Sequence, residues 1–499
     1  MKRVVIIGGG ITGAAIARTL SRYEDIKIHL IEQAPDVGWG VTKANTGIIH
    51  PGHEEDPDLH PLRARLCVAG NRLWLEWVSQ LDIPVCWPGE LMLARDEQER
   101  AVLQHYRHLG ERNGVVGMHI IEAGSLPAIE HCTPVGAVAG LVVPSAGLIA
   151  PWEAVFALVE NAVANGTRMH LNTQVTGIQV RQGTVQSVKT TQKEILADVV
   201  INAAGMYADT VSAMAGIDSF TITPRRGQYI LFDSAAEPHP QMIMHFTPTV
   251  ESKGIYAVTT VEGNLMVGPT VETLLPDNKD TRATTAAGIE YIWQYAATLL
   301  SSLPPRSAAI KLFSGLRPEP PGGRYIVSGY DSPDGFINVA GIRSPGLTAA
   351  PAIAQYVTEE LLGSLFDMTM KPRDTWQPIR QRRPSLTSMI PAQQLHHIAG
   401  NPASGRIICR CKGVTEMDII DAIGRIRQLG TDMVTLDSIK FRTLAMFGHC
   451  QGTFCRVGIA RIIARELGLP LWEVTLSGAG TPYAIGDIKT LQTGSEGVS

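Results

Sequence analysis

The chain has 499 residues, of which 44% are hydrophobic and 18% charged. Its 43 Lys and Arg against 47 Asp and Glu leave a formal charge of −4. That excludes a nucleic-acid binder working by bulk basicity and an acidic disordered chain. The length implies roughly two to four domains of ~150 residues, with apolar content enough for large cores.

Val4 to Ile7 is an apolar run ending in Gly8-Gly9-Gly10. Ile11 to Ser21 then has helical spacing, and Ile28 to Ile31 is a second run ending in Glu32. The pattern predicts β-α-β with parallel strands. Residues 46–61 predict a loop, 62–81 a helix, 144–151 a loop and 152–164 a helix. Short alternating stretches at 174–180 and 185–190 predict a meander, and 198–204 a buried strand. Residues 223–270 predict an antiparallel sheet, 336–340 a strand and 347–362 a helix. A proline-punctuated stretch around Arg380, Arg382 and Arg383 predicts a linker or wrapping arm. Short helices are expected over 406–470, with a loose tail from Ser477.

Nothing reaches the ~20 clean apolar residues of a membrane span. The start, Met-Lys-Arg before a short apolar run and glycines, reads as a buried strand rather than a signal peptide. The expectation is a cytoplasmic protein, with association on the cytoplasmic face of a membrane left open.

Gly8, Gly10 and Gly13 form G-x-G-x-x-G between strand and helix. The first permits the tight turn, the second lets backbone approach a pyrophosphate, and the third lets helix pack on strand. Glu32 ends the next strand, where a carboxylate would accept from a ribose hydroxyl. A dinucleotide site follows.

Asp198-Val-Val-Ile-Asn-Ala-Ala-Gly205 and Gly341-Ile-Arg-Ser-Pro-Gly-Leu-Thr348 resemble segments of the D-amino-acid oxidase superfamily, which favours FAD over NAD. Asn45 to Gly52, with His50, resembles the flavin-side segment of FAD-dependent glycerol-3-phosphate dehydrogenases and L-2-hydroxyglutarate dehydrogenases. Pro224 to Gln228, Ser252-Lys-Gly254, Gly263 to Thr270 and Gly315-Leu-Arg-Pro318 match the same group, so the resemblance spans most of residues 1–365.

It implies an α/β fold: a discontinuous Rossmann-like FAD part (1–80, 145–215, 305–368) interleaved with an antiparallel-sheet substrate part (81–144, 216–304). It also implies FAD contacts from Gly8, Gly10, Ile11, Thr12, Gly13, Glu32, Thr42, Asn45, Thr46, Gly47, Val175, Ala204, Gly205, Gly341, Gly346, Leu347 and Thr348. Helix N-terminal N–H groups at the last of these would stabilise negative charge on reduced flavin.

Oxidising a secondary alcohol requires a carbon held over the flavin, a base for the hydroxyl proton and a clamp for the anionic end. Arg317 is the leading clamp candidate, since guanidinium binds carboxylate or phosphate bidentately; a structural arginine is the alternative. Arg343 would supplement the clamp or face the flavin. His50 is the candidate base or polar partner of the hydroxyl, and Lys253 and Arg226 are weaker substrate-side candidates. His53 departs from the aromatic or small residue expected there, which sets the family's usual substrates in question.

Four of the seven cysteines, Cys409, Cys411, Cys450 and Cys455, fall in the last fifth of the chain. C-x-C followed by C-x4-C fits the usual zinc spacing poorly. Ile408 to Glu416 and Gly448 to Cys455 resemble the bacterioferritin-associated ferredoxin-like domain, implying a [2Fe–2S] cluster on these four thiolates. Zinc, or four reduced structural cysteines, are the rivals. The boundaries follow as a 369–405 linker, a 406–475 cluster domain and a 476–499 tail.

The expected function is an FAD- and [2Fe–2S]-containing dehydrogenase of glycerol 3-phosphate or a similar small anionic alcohol. It would pass electrons to partner subunits or another external acceptor. The rivals are a dehydrogenase of 2-hydroxy, amino or imino acids, and an electron-transfer subunit without its own substrate.

Overall fold

A computed structural model describes residues 1–249, 254–365, 368 and 370–486. The chain divides into two compact units. One comprises 1–31, 37–168 and 173–380; the other comprises 32–36, 169–172 and 381 onward.

The first unit is built on a parallel sheet. Lys2–Ile7 lies between Ile26–Ile31 and Val199–Asn202, and Phe336–Ala340 follows outside Val199–Asn202. Ile326–Gly329 closes that edge antiparallel. Strands buried on both faces need continuous apolar runs, and Val4, Val5 and Ile6 are wholly buried. Helices Ile11–Leu20, Pro151–Ala164 and Gly346–Gln355 carry mostly buried residues, as alanine-rich helices packed in a layered α/β unit do.

A second, nine-stranded sheet carries the other half of this unit. Thr223–Phe232 and Ala309–Glu319 pair antiparallel along nearly their whole length. Ala309–Glu319, placed with the FAD part by sequence, therefore belongs to this sheet. The sheet is also mixed rather than purely antiparallel, because Ile243–Phe246 runs parallel to Glu90–Ala94. Its core includes Leu91, Leu93, Phe232, Phe246 and Val267.

Other expectations are corrected locally. The 46–61 and 144–151 loops contain short strands, Ile48–Ile49 and Gly147–Ile149, that pair with each other. The helix expected over 347–362 is α-helical only to Gln355 and continues as a π-helical stretch, Tyr356–Leu362. The supposed linker is partly an arm bound to the first unit. Arg380 is buried between Glu153 and Glu160, each 2.8 Å away, and Trp376 Nε1–H donates to Ser21. Pro391–Gly400, farther along, is a helix.

In the second unit a short ribbon, Ile407–Cys409 with Val414–Thr415, leads into helices Glu416–Gln428, Leu436–Thr443 and Arg456–Leu467. Thr415 and Asp418 form a capping box at the first helix. Ile419, Ile423, Ile459 and Ile463 are among the core residues. The tail is tied down farther than expected: Ser477 Oγ donates to Asp437 at 2.6 Å, and Tyr483 N–H to the Val474 carbonyl at 2.7 Å.

Candidate active site and cluster site

In the first unit a cavity of about 590 Å³ opens where the two sheets' connections converge. Two helices, Ile11–Leu20 and Gly346–Gln355, begin at its wall, and neither is capped by its own N-cap residue, Gly10 or Pro345. Beyond Ile11 N–H, and Gly346 N–H, which donates to the Arg343 carbonyl, their first-turn N–H groups are the orphan donors a helix start leaves, suited to an anionic group. The tight entry into the first helix requires glycine. A Cβ on Gly13 would lie 2.0 Å from the Gly8 carbonyl oxygen, and Gly8 itself has φ +111°. Thr42 Oγ1 accepts from Ile11 N–H at 3.0 Å and joins loop to helix.

Of the residues expected at a cofactor, Gly10, Ile11, Thr12, Thr42, Asn45 and Thr46 line this cavity. So do Gly205, Gly346 and Leu347, together with His50, Arg317 and Arg343. Gly8, Gly13, Gly47, Ala204 and Gly341 are not in its lining; Gly8, Gly47 and Gly341 have positive φ. Thr348 is buried; its hydroxyl accepts the His50 N–H at 2.8 Å. Val175 packs in an apolar cluster with Val5 and Ile31. The Glu32 carboxylate accepts from Ala34 N–H at 2.9 Å. Lys253 lies outside the described residues.

Three guanidiniums reach the cavity wall. Arg225 and Arg317 are direct cross-strand neighbours, and Arg225, like Glu54, Tyr106 and Tyr256, was not singled out in the sequence. Arg343 Nε lies 3.1 Å from Glu319 Oε2, and Arg225 Nη1 lies 3.8 Å from the same oxygen. Like charges directly opposite on a sheet repel, so this wall suits an anion of more than one charge. Burial draws the Arg343 guanidinium below its ordinary range, against the opposing pull of Glu319. Arg317 also hydrogen-bonds Tyr229, whose phenol burial pushes upward. Arg226 is the correction: it is buried away from the cavity, donating to Glu272 at 2.7 Å and to the Ala283 carbonyl at 2.7 Å.

His50 is fixed through its backbone. Besides the Thr348 contact, its carbonyl accepts from Asn71 Nδ2 at 3.2 Å. Its ring meets Tyr256 edge-on with centroids 6.3 Å apart.

In the second unit the four late cysteines converge. Cys411 and Cys450 sulfurs are 3.7 Å apart, close to the ~3.7 Å that two thiolates ~2.3 Å from one tetrahedral ion would span. Cys409 and Cys455 hydrogen-bond to each other, which draws the Cys409 thiol down to about 5 and holds the Cys455 proton on. A Cβ on Gly448 would lie 2.2 Å from Cys411 Cβ, so the ligand loops approach as only glycine allows. Cys67 and Cys132 are buried elsewhere and Cys86 is half-buried.

Residues 3–360 match the FAD dependent oxidoreductase (DAO) family. The chain belongs to that family. Residues 407–465 match the BFD-like [2Fe-2S] binding domain. A glycerol 3-phosphate dehydrogenase of Caloramator mitchellensis is 34% identical over 98% of this chain and 99% of its own. A glycerol 3-phosphate oxidase of Mycoplasma pneumoniae is 32% identical over 70% and 92%. Among solved structures, L-alpha-glycerophosphate oxidase from Mycoplasma pneumoniae with FAD bound superposes with a TM-score of 0.70. It is 28% identical and covers 77% of this chain and all of that one. Glycine oxidase from Geobacillus kaustophilus shares the fold at a TM-score of 0.63 and 21% identity. This family member is thus an FAD-dependent oxidoreductase with a [2Fe–2S] domain. Among its described residues no helix is long and apolar enough to cross a membrane.

Proposed function

We propose that this flavoprotein oxidises glycerol 3-phosphate to the corresponding ketone and delivers the electrons to an external acceptor. The observation that carries the reading is the presence of Arg225, Arg317 and Arg343 together in the cavity lining, with Glu319 beside Arg225 and Arg343. Three guanidiniums against the Glu319 and Glu54 carboxylates leave this region net positive, which suits a phosphate monoester of about −1.5 to −2 at pH 7. The full-length likeness to a glycerol 3-phosphate dehydrogenase supports the same substrate.

FAD, when bound, supplies the two-electron acceptor for the hydride of the alcohol carbon. The starts of Ile11–Leu20 and Gly346–Gln355, with Thr42 and Asn45, are the groups that would hold it. Arg317, with Arg225 and Arg343, binds the phosphate and fixes the distance from anion to alcohol carbon. His50 takes the hydroxyl proton as the carbonyl forms. Its backbone bonds to Thr348 and Asn71 hold the segment that aims the ring. Cys409, Cys411, Cys450 and Cys455 would hold the [2Fe–2S] cluster, a one-electron carrier toward the acceptor.

The test is anaerobic addition of glycerol 3-phosphate, L-2-hydroxyglutarate and a panel of amino acids to the oxidised holoenzyme, followed at the flavin absorbance band. Glycerol 3-phosphate should bleach the band at micromolar to low millimolar concentration. Bleaching by the dicarboxylate or an amino acid alone rejects the substrate assignment. No bleaching by any of them favours an electron-transfer subunit.

A further inference from the structure

Behind the cavity wall lies a buried ionisable cluster that substrate binding does not require. Glu90 and His245 are wholly buried, and His245 Nε2 lies 2.7 Å from Glu90 Oε1. His53, the residue that departs from the expected pattern, is 1% exposed with its Nε2 3.5 Å from the same oxygen. Removing such charges from water is costly, and an apolar core of equal volume is often as stable. The cluster therefore needs a reason beyond stability.

Its placement supplies one. The His245 ring stacks on Tyr256, with centroids 4.4 Å apart and planes at 28°. Tyr256 lines the cavity and meets the His50 ring edge-on. The Tyr256 hydroxyl is buried without a hydrogen-bond partner among the described residues. Among the described residues the phenol ring is therefore held by the stack beneath it and the edge contact with His50. Such ring pairs favour particular relative orientations.

We propose that Glu90, His245 and Tyr256 form a positioning unit that sets the orientation of the His50 ring, with His53 as the second partner of Glu90. Glu90 fixes the tautomer and plane of His245, as carboxylates do for functional imidazoles. His245 fixes the Tyr256 ring, and Tyr256 limits the rotation of His50. Burial favours neutral His245, but Glu90 outweighs this and raises its proton affinity, which tightens the contact between the two side chains. The other ionisable groups acting on Tyr256 and its neighbours are Glu54, Glu55 and Tyr106.

This unit rests on His50 being the base of the proposed reaction, and two measurements keep the ideas separable. In anaerobic stopped-flow of the holoenzyme, His245→Gln, Glu90→Gln and Tyr256→Leu should each lower the limiting rate of flavin reduction by glycerol 3-phosphate ~10- to 100-fold. The substrate Kd should stay within about threefold, because the anion clamp is untouched. The double variant His245→Gln/Tyr256→Leu should be no slower than Tyr256→Leu alone, since the two act in series. Limiting rates within threefold of wild type, losses that appear in Kd alone, or multiplicative losses in the double variant overturn the proposal. Where a charge variant fails to fold or to retain FAD, Tyr256→Leu leaves the ion pair intact and decides by the same criteria. The second measurement needs no substrate: histidine-selective NMR of the holoenzyme, in which the His50 resonance should move in His245→Gln and in Tyr256→Leu. An unmoved His50 resonance overturns the positioning unit, whereas a wild-type flavin that glycerol 3-phosphate cannot reduce counts against the substrate alone.

Discussion

Replacing Arg317 with glutamine tests the anion clamp most directly. The substitution keeps a polar side chain but removes one of three positive groups facing the cavity, leaving Arg225 and Arg343 to share Glu319. The cavity thereby loses one of the positive groups available to a phosphate approaching −2. A charge-assisted hydrogen bond contributes about 1.5–3 kcal/mol, and truncating one partner of a buried charged contact costs about 2–5 kcal/mol. Because the cavity is open to solvent, the lower part of the latter range applies, about 2–4 kcal/mol. At 1.4 kcal/mol per decade this is roughly a 30- to 1,000-fold loss in kcat/KM. Anaerobic stopped-flow over a range of glycerol 3-phosphate concentrations would read it, with the loss mainly in Kd and FAD content unchanged. Arg226→Gln is the control: Arg226 is spent on Glu272 and the Ala283 carbonyl away from the cavity, so it should affect stability rather than Kd. An Arg317→Gln enzyme within threefold of wild type, or an Arg226→Gln enzyme with an equal rise in Kd, would refute the clamp.

Cys409→Ser with Cys450→Ser should abolish acid-labile sulfide and bound iron while glycerol 3-phosphate still bleaches the flavin; loss of turnover should then be confined to the physiological acceptor. Arg380→Ala leaves Glu153 and Glu160 facing a buried void and should lower unfolding stability by about 3–5 kcal/mol, measured by denaturant titration of the whole chain. Glu90 is held below its ordinary carboxylate value, His53 and His245 overcoming the upward push of burial, and His245 above its ordinary imidazole value. Their pairing should therefore stabilise the fold fully between about pH 4.5 and 6.5. That contribution should fade as pH falls through the folded value of Glu90 and as it rises through that of His245. Glu90→Gln should flatten this part of the stability–pH curve, and an unchanged curve would reject the pairing.

Local chemistry was legible wherever one stretch of chain makes the feature. The glycine spacing after Lys2–Ile7 could serve only a tight strand-to-helix entry, because Gly8 and Gly13 touch backbone there. The four cysteines arrive as two close pairs, so few other arrangements of those loops exist. The apolar runs through Val4 and Val200 announced strands buried on both faces. Less legible were features made by pairing between distant segments. Strand ends at 147–149 and the membership of Ala309–Glu319 depend on hydrogen bonds to partners that periodicity does not name. The arm near Arg380 looks like a linker because its prolines and charges fit either state until Glu153 and Glu160 are placed beside it.

By itself, then, the sequence determined a flavin-type β-α-β unit and a cysteine-rich cluster unit, and it offered arginines as candidates for the proposed anion site. Only the tertiary structure decided which arginines line the cavity. Arg225 and Arg226 are adjacent in the chain, and alternation along a strand sends them to opposite faces. Register against Ala309–Glu319 puts Arg225 opposite Arg317 at the cavity, while Arg226 turns to Glu272. The same holds for His53, Glu90 and His245, which share one buried site because a loop and two neighbouring strands bring them there. Side-chain type and spacing encode what a residue can do; the sheet's register decides what it faces.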